Sequence, residues 1–226
     1  LLMNDDFFLD TYDSGVGSTI VFTHGWTDNR NAWDGVITNL NDHARCIAWS
    51  IRGHGESFAP PPGQYTRDHT LSDLKVITQR SKEKVILAGH SLGGYLSLAH
   101  SLLYPEDVEA LILVGAGPGF RKKESIDQWN SSVIESAKKL DLPEGSEATA
   151  LHTDAWVIDS LNEIKVPTLV IVGEHDKRFR ASMSVFEKYL NVKTSVVVED
   201  AGHSVHRKKP LEVANAIKDF LGEISQ

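Results

Sequence analysis

Short runs of β-branched and apolar residues alternate along this chain with longer stretches in which apolar residues recur every three or four positions. The runs at 19–24, 46–50, 84–89, 109–115, 168–173 and 194–199 read as strands, and the segments near 31–40, 70–82, 92–104, 179–190 and 209–224 read as helices. Strand and helix in regular alternation predict an α/β fold, with a mostly parallel, doubly wound sheet and helices on both faces. Residues 7–12 are expected to add one antiparallel edge strand.

The alternation lapses between Gly115 and Pro167, where two helical patterns, 121–140 and 147–163, follow each other without a strand. This predicts an insertion over the sheet, opened by the turn-rich Gly115-Ala116-Gly117-Pro118-Gly119 and closed by Val166-Pro167. The glycine cluster lacks the G-x-G-x-x-G spacing of a dinucleotide-binding loop, so no nucleotide cofactor is expected.

At 226 residues the chain fits a single domain, 1–226. The formal net charge of -8 argues against nucleic acid, because the basic triplets Arg121-Lys122-Lys123 and Arg207-Lys208-Lys209 are isolated and read as solvated surface. No stretch approaches the roughly 20 apolar residues of a membrane helix. Residues 1–6 lack the basic and apolar regions of a signal peptide. The one cysteine, Cys46, lies in an apolar run and reads as a buried small hydrophobe; its solitude favours the cytoplasm. The ten histidines include no H-E-x-x-H and no cysteine-histidine pairing, and no metal is expected.

The chemistry concentrates at Gly89-His90-Ser91-Leu92-Gly93, a G-x-S-x-G pattern set between a predicted strand and a predicted helix. A turn that sharp raises the serine hydroxyl above the sheet, and the flanking glycines remove side chains that would collide. A serine hydroxyl is a weak nucleophile and needs a base held by a carboxylate. Asp176 follows the strand at 168–173, and His203 follows the last strand, so Ser, Asp and His come in the order this motif requires. Donors for an oxyanion are expected from the backbone N–H of Leu92, at a helix N-terminus, and of Trp26, after Phe22-Thr23-His24-Gly25.

Taken together, His24-Gly25-Trp26, Arg52-Gly53-His54-Gly55-Glu56-Ser57, Gly89 to Gly94, Val166 to Asp176 and Ala201-Gly202-His203 resemble the α/β-hydrolase superfamily, and in particular its carboxylesterase, lactonase and carbon-carbon hydrolase branches. The resemblance implies a core of 1–118 and 161–226 with a short helical cap at 119–160. It also implies a structural loop over 52–57 beside the site. Where the family often carries an aspartate two residues before that arginine, this chain has Ser50. Ser91 at the elbow argues against relatives that attack with aspartate, the epoxide hydrolases and haloalkane dehalogenases. Trp129 and Trp156 in the cap are candidates to line an acyl pocket, with packing roles as the alternative. The expected activity is hydrolysis of a small-molecule ester or lactone. Cleavage of a carbon-carbon bond by the same residues and a ligand-binding receptor with little turnover remain open. Oligomeric state is not legible.

Overall fold

A computed structural model describes residues 7–140 and 142–225. The strands β1 (Thr11–Ser14), β2 (Thr19–Thr23), β3 (Arg45–Trp49), β4 (Val85–His90), β5 (Val108–Val114), β6 (Pro167–Gly173) and β7 (Asn191–Val198) form one seven-stranded sheet in the order β1-β3-β2-β4-β5-β6-β7. All neighbours run parallel except β1, which pairs antiparallel with β3. The helices are α1 (Asp34–Thr38), α2 (Arg67–Thr78), α3 (Leu92–Leu103), α4 (Lys123–Lys139), α5 (Trp156–Asp159), α6 (Arg180–Tyr189), α7 (Val205–Lys208) and α8 (Pro210–Ile224). Among the described residues no helix is long and apolar enough to cross a membrane.

The central strands are apolar throughout because both faces are covered. Along β4, Val85 and Leu87 enter one core with Leu71, Leu74 and Leu96 of α2 and α3. Ile86 and Ala88 enter the other, with Val36, Ile37, Val213 and Ile217 of α1 and α8. Each fully buried Leu, Ile or Val contributes about 1.5–3 kcal/mol by leaving water. Local chemistry sets the helix starts: Thr66 caps α2 by accepting from the His69 N–H, and Pro210 opens α8, where its missing N–H costs nothing. Cys46 is buried, and burial pushes its thiol up to about 12.

Two expectations need correction. The N-terminal strand forms at Thr11–Ser14 rather than over 7–12. Phe7 instead packs under the Arg52 guanidinium, with its ring 5.4 Å from that of Phe58, and the Phe8 carbonyl accepts from the Phe58 N–H. The second helical pattern of the insertion, 147–163, breaks into the short turn Ser146–Thr149, then α5, then Leu161–Glu163. Asp154 interrupts it: its carboxylate pairs with Arg67 at 2.7 Å and caps the Trp156 N–H at 3.1 Å. Residues 1–6, Asp141 and Gln226 lie outside the described residues, and so does the reading of residues 1–6 against a signal peptide.

The chain leaves β2 for β3 on one side and reaches β4 on the other, so the loops after β2 and β4 face each other across a crevice at the carboxyl ends of the strands. Such switch points are where open α/β sheets bind ligands.

Candidate active site

Ser91 joins β4 to α3 at φ 52° and ψ -111°, a conformation that costs a residue with a side chain about 1–3 kcal/mol. The turn holds because its surroundings admit no alternative. A Cβ on Gly93 would sit 2.2 Å from the Thr23 carbonyl oxygen, so α3 starts in direct backbone contact with the end of β2. The Ser91 N–H donates to the Val114 carbonyl at 3.0 Å, tying the turn to β5 as well.

The loop after β2 approaches equally closely. A Cβ on Gly25 would lie 3.4 Å from Ser91 Cβ and 2.7 Å from His90 Nδ1, which places the turn into Trp26 directly over the elbow. Leu92 is the first residue of α3, so its N–H lies in the turn that has no helical acceptor. Trp26 points its indole elsewhere, donating from Nε1 to Ser136 Oγ on α4 at 2.8 Å.

His203, in the loop after β7, has Nδ1 2.8 Å from Asp176 Oδ2. A carboxylate only accepts, so Nδ1 is the donor, and Nε2 is the nitrogen left to face outward. The Asp176 side chain is 4% exposed against 41% for His203, a carboxylate held inside while the imidazole reaches outward. Phe179 stacks on the His203 ring at 4.8 Å, and a Cβ on Gly115, just past β5, would lie 3.3 Å from both Asp176 Oδ2 and His203 Nδ1. The structure therefore brings the ends of β2, β4, β5, β6 and β7 together around the residues expected for chemistry.

Beneath the elbow lies a group of histidines to which the sequence pattern assigned no role. His90 Nε2 donates to the His203 carbonyl at 3.0 Å, and its ring is 4.0 Å from that of His206. Burial holds His90 well below the ordinary histidine range, and His206 and His203 add to the effect. His24 accepts from the Ile51 N–H at Nε2, so Nδ1 donates to the Gly25 carbonyl; burial lowers its pKa to about 3. These rings are neutral spacers. One of them, His90, stands inside the G-x-S-x-G pattern itself, which is the only signal that could have found it.

The 52–57 loop is anchored by Arg52, which makes two 2.7 Å bonds to Asp73 of α2 and a third bond to the Gln64 carbonyl. Ser50, standing where an acid was expected, hydrogen-bonds Asp10 at 3.1 Å.

Beside Ser91 a cavity of about 80 Å³ is walled by Tyr95, Phe120, Trp129, His152, Arg178 and Phe179, with the glycine-rich turn after β5. Trp129 is thus in the wall. Trp156 is not: it packs beneath the Arg67 guanidinium, 5.3 Å away, on the far side of Tyr95, whose hydroxyl accepts from Arg67 at 3.0 Å. The volume is also below the roughly 300–1,000 Å³ of ordinary small-molecule pockets. Among the described residues, Glu174, His175 and Asp200 bring three potential metal-ligand atoms within 4.8 Å of one another. All three are exposed, and nothing else directs an ion there.

Comparison with known proteins places the fold. A family model described as the alpha/beta hydrolase fold matches residues 18–140. A candidate 2-succinyl-6-hydroxy-2,4-cyclohexadiene-1-carboxylate synthase of Bacillus subtilis is 27% identical over 91% of this chain and 90% of its own length. Among solved structures, a thermophilic esterase from Thermogutta terrifontis superimposes with a TM-score of 0.83 at 24% identity, covering 100% of this chain and 97% of the esterase. MenH from S. aureus reaches 0.85 at 22% identity, covering 96% and 99%.

Proposed function

Because the chain belongs to the alpha/beta hydrolase fold family, we propose that it is a serine hydrolase that cleaves a small ester or lactone through an acyl-enzyme on Ser91. The observation that carries this reading is the 2.8 Å contact of Asp176 with His203, whose ring stacks on Phe179 of the same cavity wall that Ser91, held at positive φ, also lines.

Ser91 Oγ attacks the carbonyl carbon while His203 Nε2 takes its proton. Asp176 keeps the imidazole in the required tautomer and offsets the charge it gains. The tetrahedral oxyanion lies against the backbone N–H groups of Trp26 and Leu92, and one such donor is worth about 10²–10³ in rate. His203 returns the proton to the departing alkoxide, the carbon–oxygen bond breaks, and the acyl group stays on Ser91. Water then attacks the acyl-enzyme, His203 takes its proton and passes it to Ser91 Oγ, and the free acid leaves.

The test is a panel of short esters, lactones and vinylogous diketones with wild type and Ser91→Ala, alongside fluorophosphonate labelling. Ester or lactone turnover and labelling, both lost in Ser91→Ala, support the reading. Turnover of the diketones alone would replace it with carbon-carbon cleavage, and labelling without any turnover would point to a receptor.

A further inference from the structure

The wall of the cavity beside Ser91 carries polar groups that the acyl-transfer steps leave unused. Arg178 borders the cavity with its guanidinium 5.3 Å from the Trp129 ring centre. Seven other arginines each hold an aspartate. Among the described residues Arg178 has no acid and no hydrogen-bond partner, although the chain carries 31 acidic residues against 23 basic ones. Among the described residues no Asp or Glu lines the cavity, and the one full charge they place there is positive.

His152 is the second group. It is 6% exposed, and Asn130 fixes its backbone from both directions, accepting from the N–H at 2.9 Å and donating to the carbonyl at 2.8 Å. Its ring stands edge-to-face against Tyr95, Phe120 and Trp129 at 4.5, 5.1 and 5.8 Å. Among the described residues no group bonds its Nδ1, which is buried and lies beside Gly119 of the cavity wall. Buried polar atoms are nearly always paired, and His152, a residue of the cavity wall, keeps this one without a partner. Burial, reinforced by Arg67, lowers the imidazole pKa to about 4, so at neutral pH the ring offers an N–H without a second charge.

We infer that this cavity selects substrates carrying a carboxylate, half-esters of short dicarboxylic acids, with Arg178 pairing to the carboxylate and His152 donating to the same polar end. The inference rests on the reading of this cavity as the substrate site of a serine hydrolase, and makes that reading more specific. Aromatic walls cover the methylene chain, and the guanidinium already parked on Trp129 supplies a planar fork matched to a carboxylate.

The experiment is calorimetric titration of Ser91→Ala, which binds without turnover, with monomethyl glutarate and with its uncharged carboxamide analogue. The carboxylate should bind about 10- to 100-fold more tightly, the range of a charge-assisted hydrogen bond. Arg178→Gln in the same background should bring the two within about threefold without weakening the amide, and Arg178→Lys should retain part of the preference. Arg178 is exposed, so these variants keep the fold. Equal affinity for the two ligands, including no detectable binding of either, overturns the inference, as does a preference that survives Arg178→Gln. Turnover by wild type reports separately on the hydrolase reading: a half-ester bound selectively but never cleaved would sink that reading and leave the recognition intact.

Discussion

Asp176 and His203 meet at 2.8 Å, while Glu174, two residues earlier on the same loop, turns its carboxylate to the Asp200 N–H at 3.1 Å. Of the three acids Glu174, Asp176 and Asp200, only Asp176 is hydrogen-bonded to the His203 ring. Asp176→Asn should therefore lower kcat by about 10³–10⁴ with stability retained, the scale seen when a triad acid loses its charge. Glu174→Gln and Asp200→Asn should stay within about tenfold. Steady-state kinetics on one ester decides it, and the reverse ranking would remove Asp176 from the mechanism.

Ser91→Ala should lower the rate by about 10³–10⁶ and abolish fluorophosphonate labelling. Ser91→Gly should be equally inactive yet more stable, because glycine tolerates φ 52° and ψ -111°. The expected gain is about 1 kcal/mol, or about 2–4 °C in Tm for a chain of this size. A Tm below wild type for Ser91→Gly would show that the turn is not strained.

Acid should destabilise the protein through its buried histidines. Burial lowers His24 and His206 to about 3 and His100 to about 4. The folded state binds fewer protons than the unfolded state below the ordinary histidine value of about 6.5, so stability is complete above that pH and is lost as pH falls toward the folded values. Each such group costs about 1.4 kcal/mol per pH unit within that window. Chemical denaturation from pH 7 to 4.5 should show the loss. His206→Phe, which removes two unpartnered ring nitrogens packed against Trp33 and His90, should flatten the slope by about one proton. Stability independent of pH down to 4.5 would contradict this account.

Arg52 and Asp73 form a two-pronged bond with side chains 7% and 1% exposed. Asp73→Asn leaves a buried guanidinium without its counter-charge and should cost about 3–5 kcal/mol in denaturant titrations. Replacing both residues by apolar ones of similar volume should recover most of it. A loss under about 1 kcal/mol for Asp73→Asn would mean that the Gln64 carbonyl suffices.

Among p-nitrophenyl esters from acetate to palmitate, kcat/KM should peak at or below about eight carbons, because a cavity of about 80 Å³ holds little more than a short chain. A peak at twelve carbons or more, or a jump above the micelle threshold, would show that the cavity opens much further in solution.

The sheet, the elbow and the order Ser91, Asp176, His203 were legible in the sequence because each rests on a short-range cause. Apolar periodicity separates strand from helix within a dozen residues, and Gly89 registers a steric demand made by Gly93 and Gly94 inside one turn, although the demand at Gly93 comes from Thr23 at the end of β2. Other features were decided only when distant segments packed. Trp129 and Trp156 have the same composition cue, yet the first lines the cavity and the second lies under Arg67, a residue of α2. The 147–163 pattern reads as a helix until Asp154 is drawn to that same arginine. His152 and Arg178 carry no local signal, since what marks them is the absence of a partner once every neighbour is in place. Periodicity reports which face of an element is buried, whereas a pocket is made by side chains from several elements, and their mutual geometry exists only in the assembled core.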